Sequence, residues 1–170
     1  MIVTLQPAVT LDGFIADLSG ECYSWVKEDD EARFLEAVEE AGCELVGRKT
    51  FDQYREDYTS RTKATTFVVT RDTSLRDFGR VRFVTGKLEQ IVSDIAGQGF
   101  ERLIISGGGD LNGSLAEAGL LDEMRLSVHP VTIGEGIPLF GKYHPKLHTQ
   151  LVDVNRDVPE VVQLVYKVLK

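Results

Sequence analysis

The sequence is short of the residues that build metal centres and disulfide frameworks: 170 residues contain 2 cysteines and 3 histidines. Cys22 and Cys43 form no CxxC pair, and with His129, His144 and His148 they give no zinc-like spacing, so no metal is expected. His144 and His148 have the i, i+4 spacing of a helical His pair, but Pro145 between them breaks any such helix. No apolar run approaches the roughly 20 residues that cross a bilayer. The opening "MIVTLQPAV" has no basic flank of a secretory signal, so a cytoplasmic protein is expected. Positive charge is also scarce, with 19 Lys and Arg against 27 Asp and Glu and a net charge of -8. Binding to nucleic acid or to an anionic membrane needs a basic face, so neither partner is expected. An anionic ligand would have to be met by a few local groups. With 5 prolines, no biased segment and no repeat, nothing marks a linker. Residues 1–170 are expected to form one domain, long enough to bury a sizeable core.

What is present is an alternation of apolar, β-branched runs with helical periodicity. Strands are expected at Ile2 to Val9, Cys43 to Gly47, Thr65 to Thr70, Val81 to Thr85, Arg102 to Ser106, Glu123 to Pro130, Thr149 to Asn155 and Val161 to Leu169. Helices are expected at Asp29 to Ala41, where Phe34, Leu35 and Val38 make an apolar stripe, and at Leu88 to Ile95, where Leu88, Ile91, Val92 and Ile95 do. Shorter helices begin at Arg48 and Asp110. Alternating β and α implies parallel strands with helices on both faces of one sheet. The last strands follow one another without a helix, the final two across the turn-like "RDVPE", which implies an antiparallel edge.

Three strand ends carry chemistry suited to an anion. In "RLIISGGGDLNGSL" three consecutive glycines separate a buried strand from a helix start. They suit either a tight turn capped by Asp110 or a backbone whose N–H groups converge on a phosphate at a helix N-terminus. The familiar phosphate motifs both fail here: Asn112 stands where G-x-G-x-x-G needs its third glycine, and Ser114 and Leu115 stand where a P-loop needs Lys and Ser or Thr. In "CELVGRKTFDQY", Arg48, Lys49 and Thr50 occupy a helix first turn, where cations oppose the macrodipole unless an anion binds. "TTFVVTRD" ends a strand in Thr70 and Arg71. Ligands of open α/β sheets bind beyond the carboxyl ends of the strands, where an arginine can pair a phosphate bidentately.

The stretches "AVTLDGFIAD", "WVKEDDEARF", "LVGRKTFDQY", "FVVTRD" and "IISGGGDLNGSLAEAGLLDEMRLSVHPVTIGEGIPLF" together resemble the dihydrofolate reductase-like superfamily. Within it, the chain is similar to the C-terminal reductase domain of the riboflavin-biosynthesis deaminase-reductase and to its free-standing bacterial relatives, from about Ile2 to Phe140. The resemblance implies an α/β, three-layer fold whose central, mostly parallel, eight-stranded mixed sheet has an antiparallel C-terminal edge. It implies NADPH as cofactor: Gly47, Arg48, Lys49 and Thr50 at the phosphates, Thr70 and Arg71 at the adenosine end with its 2′-phosphate, and Gly107, Gly108, Gly109, Asp110 and Leu111 around the pyrophosphate. Ala8 and Ile15 would face the nicotinamide carboxamide, with Trp25 and Phe34 beside the substrate. Asp30, four residues before Phe34, would be the catalytic acid, with Asp29 its competitor; the same "EDDE" also reads as an acidic first turn that favours the helix dipole.

The resemblance thus implies an NADPH-dependent reductase of a small pterin- or pyrimidine-like heterocycle, similar to 5-amino-6-(5-phosphoribosylamino)uracil reductase and paired as a homodimer. The alternatives are a dihydrofolate reductase proper and a non-catalytic nucleotide-binding module. Three departures stand out. No deaminase signature is present, Phe14 stands where that family carries a basic residue, and "REDYTSR" replaces its Asp-Pro-containing substrate segment. Folate enzymes place proline before the active-site tryptophan, where this chain has Ser24.

Overall fold

A computed structural model describes residues 1–170. In chain order its elements are β1 (Ile2–Leu5), β2 (Ala8–Thr10), β3 (Phe14–Ala16), α1 (Glu28–Ala41), β4 (Cys43–Gly47), α2 (Arg48–Gln53), α3 (Arg55–Ser60), β5 (Thr65–Val69), β6 (Val81–Val84), α4 (Leu88–Ala96), β7 (Arg102–Gly107), α5 (Gly109–Glu117), β8 (Glu123–His129), β9 (Ile137–Pro138), β10 (His148–Asn155) and β11 (Val162–Leu169). One mixed sheet runs in the order β10-β11-β8-β1-β7-β4-β5-β6, with β2 also on β8. The pairs from β8 through β6 are parallel, and β11 and β10 add the antiparallel edge. None of the helices is long and apolar enough to cross a membrane.

The expected strand Ile2 to Val9 is interrupted at Gln6 and Pro7. Leu5 pairs with Met124 and Ala8 with Ser127, so both halves stay parallel to the same partner. Proline brings no N–H to the ladder, and the strand breaks where it would be needed. Counting β1 and β2 as one interrupted strand gives the eight strands expected from the sequence. The apolar C-terminal strand β11 lies between β8 and β10, so the sheet edge is β10.

Alternation along the central strands divides the core. Leu5, Leu45, Leu103 and Ile105 face α4 and α5, where they meet Ile91, Ile95 and Leu115 in one buried cluster. Ile104 turns the other way to Val38 of α1, and Val46 to Phe51 of α2. Each such side chain contributes about 1.5–3 kcal/mol by leaving water. Polar residues break the apolar pattern of the second face, and two of them, Glu44 and Ser106, are bonded to each other from neighbouring strands. They lie in the wall of a cleft that opens between the sheet, α1 and the α2–α3 segment.

Candidate functional site

The cleft runs along the second face of the sheet and has two chemically different ends. At one end, β7 delivers Gly107, Gly108 and Gly109, β4 leads into Lys49 and Thr50 of α2, and all five residues line the cleft. The glycines serve different needs. Gly107 has φ +96°, a left-handed backbone, and a side chain there would point into open space. A Cβ on Gly108 would stand 2.7 Å from Thr50 Oγ1. A Cβ on Gly109 would meet Gly141 N and Pro138 O at 2.8 Å, so the absent side chain lets the start of α5 pack on the 138–141 loop. The backbone therefore runs bare past Thr50 and into a helix whose first N–H groups lack intrahelical partners. Lys49 makes no ion pair, whereas Arg48 is bound to Asp52 Oδ2 at 2.6 Å and lies over the Phe83 ring. Two buried acceptors without a partner, Gln6 Oε1 and Asn112 Oδ1, belong to residues that line the same cleft.

The other end is aromatic and acidic. Phe34, Tyr23, Tyr54 and Tyr58 line it, with Tyr23 and Tyr54 packed edge to face at 5.1 Å. Glu31, Asp57 and Arg61 form its rim: Arg61 bonds Glu31 Oε1, reaches Asp57 Oδ1 at 3.1 Å and lies over the Tyr23 ring. Asp30 is buried beside them. Its Oδ1 accepts a hydrogen bond from Arg33 and its Oδ2 lies 2.9 Å from His129 Nε2. Burial pushes the Asp30 carboxyl up, but the bonds from His129, Arg33 and Ser127 outweigh burial and hold it below the usual carboxylate range. The bonds from His129 and Arg33 thus favour the ionised form of Asp30. Asp29 is exposed and lies outside the cleft.

A second carboxyl was hidden from the sequence reading. Glu44 is 3% exposed in the middle of the sheet, its oxygens accepting from Ser106 Oγ and from Thr66 Oγ1, the latter at 2.8 Å. Burial raises its pKa above the ordinary 4.5, more than the two hydroxyl bonds lower it. The cleft thus holds two carboxyls whose surroundings push their pKa values apart, Asp30 downward and Glu44 upward.

This geometry meets an independent finding. The model of the RibD C-terminal domain, the reductase domain of riboflavin biosynthesis, matches residues 1–163. The chain belongs to the RibD C-terminal domain family. It is 30% identical to YyaP, an uncharacterized protein of Bacillus subtilis, over 96% of this chain and 93% of that one. A crystal structure from Shewanella sp. PV-4, assigned to riboflavin biosynthesis, superposes with a TM-score of 0.82 at 26% identity over 100% of both chains. A dihydrofolate reductase from Enterococcus faecalis, complexed with NADP(H), superposes with a TM-score of 0.75 at 17% identity over 99% of this chain and 97% of that one, a likeness of fold.

In this RibD-type domain the structure gathers some of the expected site residues and separates others. Ala8, Ile15, Lys49, Thr50, Gly107, Gly108, Gly109, Asp30 and Phe34 all line the one cleft. Leu111 is buried in the core, so only its backbone faces α5's N-terminus, and Asp110 directs its carboxylate to the backbone N–H of Lys142. Thr70 accepts from the N–H of Asp72 at 3.1 Å, while Arg71 is exposed and unpaired at the end of β5, outside the cleft lining. Gly47 caps α2 behind the lining. Trp25 stands outside it as well, edge to face at 5.4 Å on His129, the partner of Asp30. The sequence reading missed Glu44, Ser106 and Tyr54, and met Tyr58 and Arg61 only within the segment "REDYTSR". A glutamate and a serine within apolar strands were the available signal, since buried polar residues in a sheet centre need a reason.

Proposed function

We propose that this chain is an NADPH-dependent reductase of a small pterin- or pyrimidine-like heterocycle. The observation that carries the reading is the convergence of the unpaired Lys49, Thr50 and the bare Gly107–Gly108 backbone at one end of a cleft whose other end is lined with aromatic rings. These residues fit a dinucleotide: a cation free of carboxylates, a hydroxyl, backbone N–H groups at a helix start, and a place where any side chain would obstruct. Lys49, Thr50, Gly107 and Gly108 would hold the phosphates, with the first N–H groups of α5 at Gly109, Asp110 and Leu111. Arg71 and Thr70 would meet the 2′-phosphate end, and Gly47 and Arg48 would support the phosphate loop from behind. Ala8 and Ile15 would face the carboxamide, with Gln6 Oε1 and Asn112 Oδ1 as acceptors for its N–H groups. NADPH supplies the hydride when bound.

The chain's own residues supply the rest. Phe34 and the tyrosines would flank a planar ring and keep water from it. The Asp30 carboxylate would accept hydrogen bonds from ring N–H groups and so orient the substrate. Reduction of a C=N or imine also needs a proton at the heteroatom. Glu44, bonded to Ser106 in the wall of the cleft with its pKa raised by burial, would be the group to supply one. A homodimer formed over the apolar residues exposed on β10, Leu151, Val152 and Val154, would complete the molecule.

The test is NADPH oxidation over a panel of pterins and pyrimidines, with binding of NADPH read separately by thermal shift. Saturable stabilisation by NADPH together with turnover of a heterocycle supports the reading. Stabilisation without turnover of any of them leaves a nucleotide-binding module, and no stabilisation contradicts the cofactor site.

A further inference from the structure

The two ends of the cleft differ in what their cations are free to do. At the glycine end Lys49 is unpaired. At the aromatic end the cation in the lining is Arg61, and its charge is already shared between two carboxylates: Nη1 bonds Glu31 Oε1 and Tyr23 OH, the latter at 3.1 Å, and Nε lies 3.1 Å from Asp57 Oδ1. Tyr23 donates to the other Asp57 oxygen at 3.1 Å, and its ring covers the guanidinium at 5.0 Å. Arg33 offers no replacement, because it turns to Asp30, Ser127 and Asn155. Arg55 lies over the Phe51 and Phe78 rings, away from the cleft. A ligand at this end therefore faces the carboxylates of Asp30, Glu31 and Asp57 with one neutralised guanidinium among them.

We infer that the substrate end accepts a planar heterocycle carrying no phosphate, because its only lining cation is locked in a Glu31–Arg61–Asp57 bridge among three carboxylates. A phosphate monoester brought here would meet like charge in a partly enclosed space, where screening is weak. It would also have to compete with Glu31 and Asp57 for the one positive charge of Arg61, whose Nη1 and Nε they already hold. An uncharged or cationic ring meets none of this. Aromatic faces pack against its plane, and the Asp30 carboxylate accepts from its N–H groups. Selectivity of this kind comes from repulsion of the wrong ligand as much as from attraction of the right one.

The inference rests on the reductase reading for the word substrate, but its test does not need turnover. The side-chain Nε–Hε signal of Arg61 is followed by NMR while inorganic phosphate is titrated into the full chain, first alone and then with NADPH present. In the native protein the Arg61 signal is expected to stay unmoved. In Glu31→Gln/Asp57→Asn, and more weakly in the single variant Asp57→Asn, it is expected to shift saturably, with phosphate affinity at least tenfold above that of the native chain. A saturable shift of Arg61 in the native protein overturns the inference, as does a released Arg61 that still ignores phosphate. Failure of NADPH to bind in the same samples would count against the cofactor site alone, since the Arg61 signal reports the other end.

Discussion

The two ends of the cleft treat their charges in opposite ways. At the glycine end the backbone is stripped of side chains and Lys49 has no carboxylate partner, which suits the anion site proposed there. At the aromatic end every cation is already matched: Arg61 by Glu31 and Asp57, Arg33 by Asp30. The difference teaches that a site is read less from which charged residues it contains than from which of them are uncommitted. The chain's net charge of -8 does not prevent an anion site, provided that one end concentrates its free donors.

The sharpest way to break the comparison is a methyl group at the glycine end. Gly108→Ala places a Cβ 2.7 Å from Thr50 Oγ1 and should weaken NADPH binding at least a hundredfold, about 2.7 kcal/mol, with the fold kept. Gly109→Ala drives its Cβ into Pro138 and Gly141 and should instead cost about 3 kcal/mol of stability, read by urea unfolding. If both substitutions acted alike, the division of labour among the three glycines would be wrong.

At the other end, Asp30→Asn leaves Arg33 uncompensated and should cost about 3 kcal/mol. The pH dependence has a definite sign. The folded pKa of Asp30 lies below the ordinary 3.8, so its stabilisation is present above that value and lost as pH falls through the folded pKa. Acid unfolding of Asp30→Asn should lack that step. Glu44 has the reverse sign: its folded pKa lies above 4.5, so its contribution is present below 4.5 and lost as pH rises through the folded pKa. The thermal midpoint of Glu44→Gln should accordingly gain on that of the native chain as pH rises above 4.5.

Smaller effects sharpen the glycine end. Lys49→Ala removes one charge-assisted contact and should weaken NADPH about tenfold, about 1.4 kcal/mol, in an equilibrium titration. Arg71 is exposed, so Arg71→Ala should weaken NADPH only about fivefold and NADH not at all. Equal losses for both cofactors would remove Arg71 from the 2′-phosphate.

Much of the fold was legible because it is carried by local signals. Helix α1 follows from the Phe34, Leu35 and Val38 stripe and ends at Gly42 in the left-handed conformation. The break at Pro7 and the short β3–β9 ribbon were not, since pairing between distant segments leaves little local trace. In the site, the glycine end was readable because bare backbone needs glycine, and glycine is conspicuous. Leu111 and Trp25 show the limit: the family resemblance sets them beside the ligand, and only the packing shows the side chain of one buried in the core and the other turned onto His129. The Glu44–Ser106 and Arg61 groupings join residues 62 and 30 positions apart, respectively, and no pattern along the chain announces them.

The most direct test of the central claim is an equilibrium titration of the native chain and Lys49→Ala with NADPH and NADH, read by thermal shift. The account predicts saturable stabilisation of the native chain, stronger with NADPH than with NADH and reduced about tenfold in affinity by Lys49→Ala. Absence of stabilisation by either cofactor, or identical NADPH binding by Lys49→Ala, would contradict it.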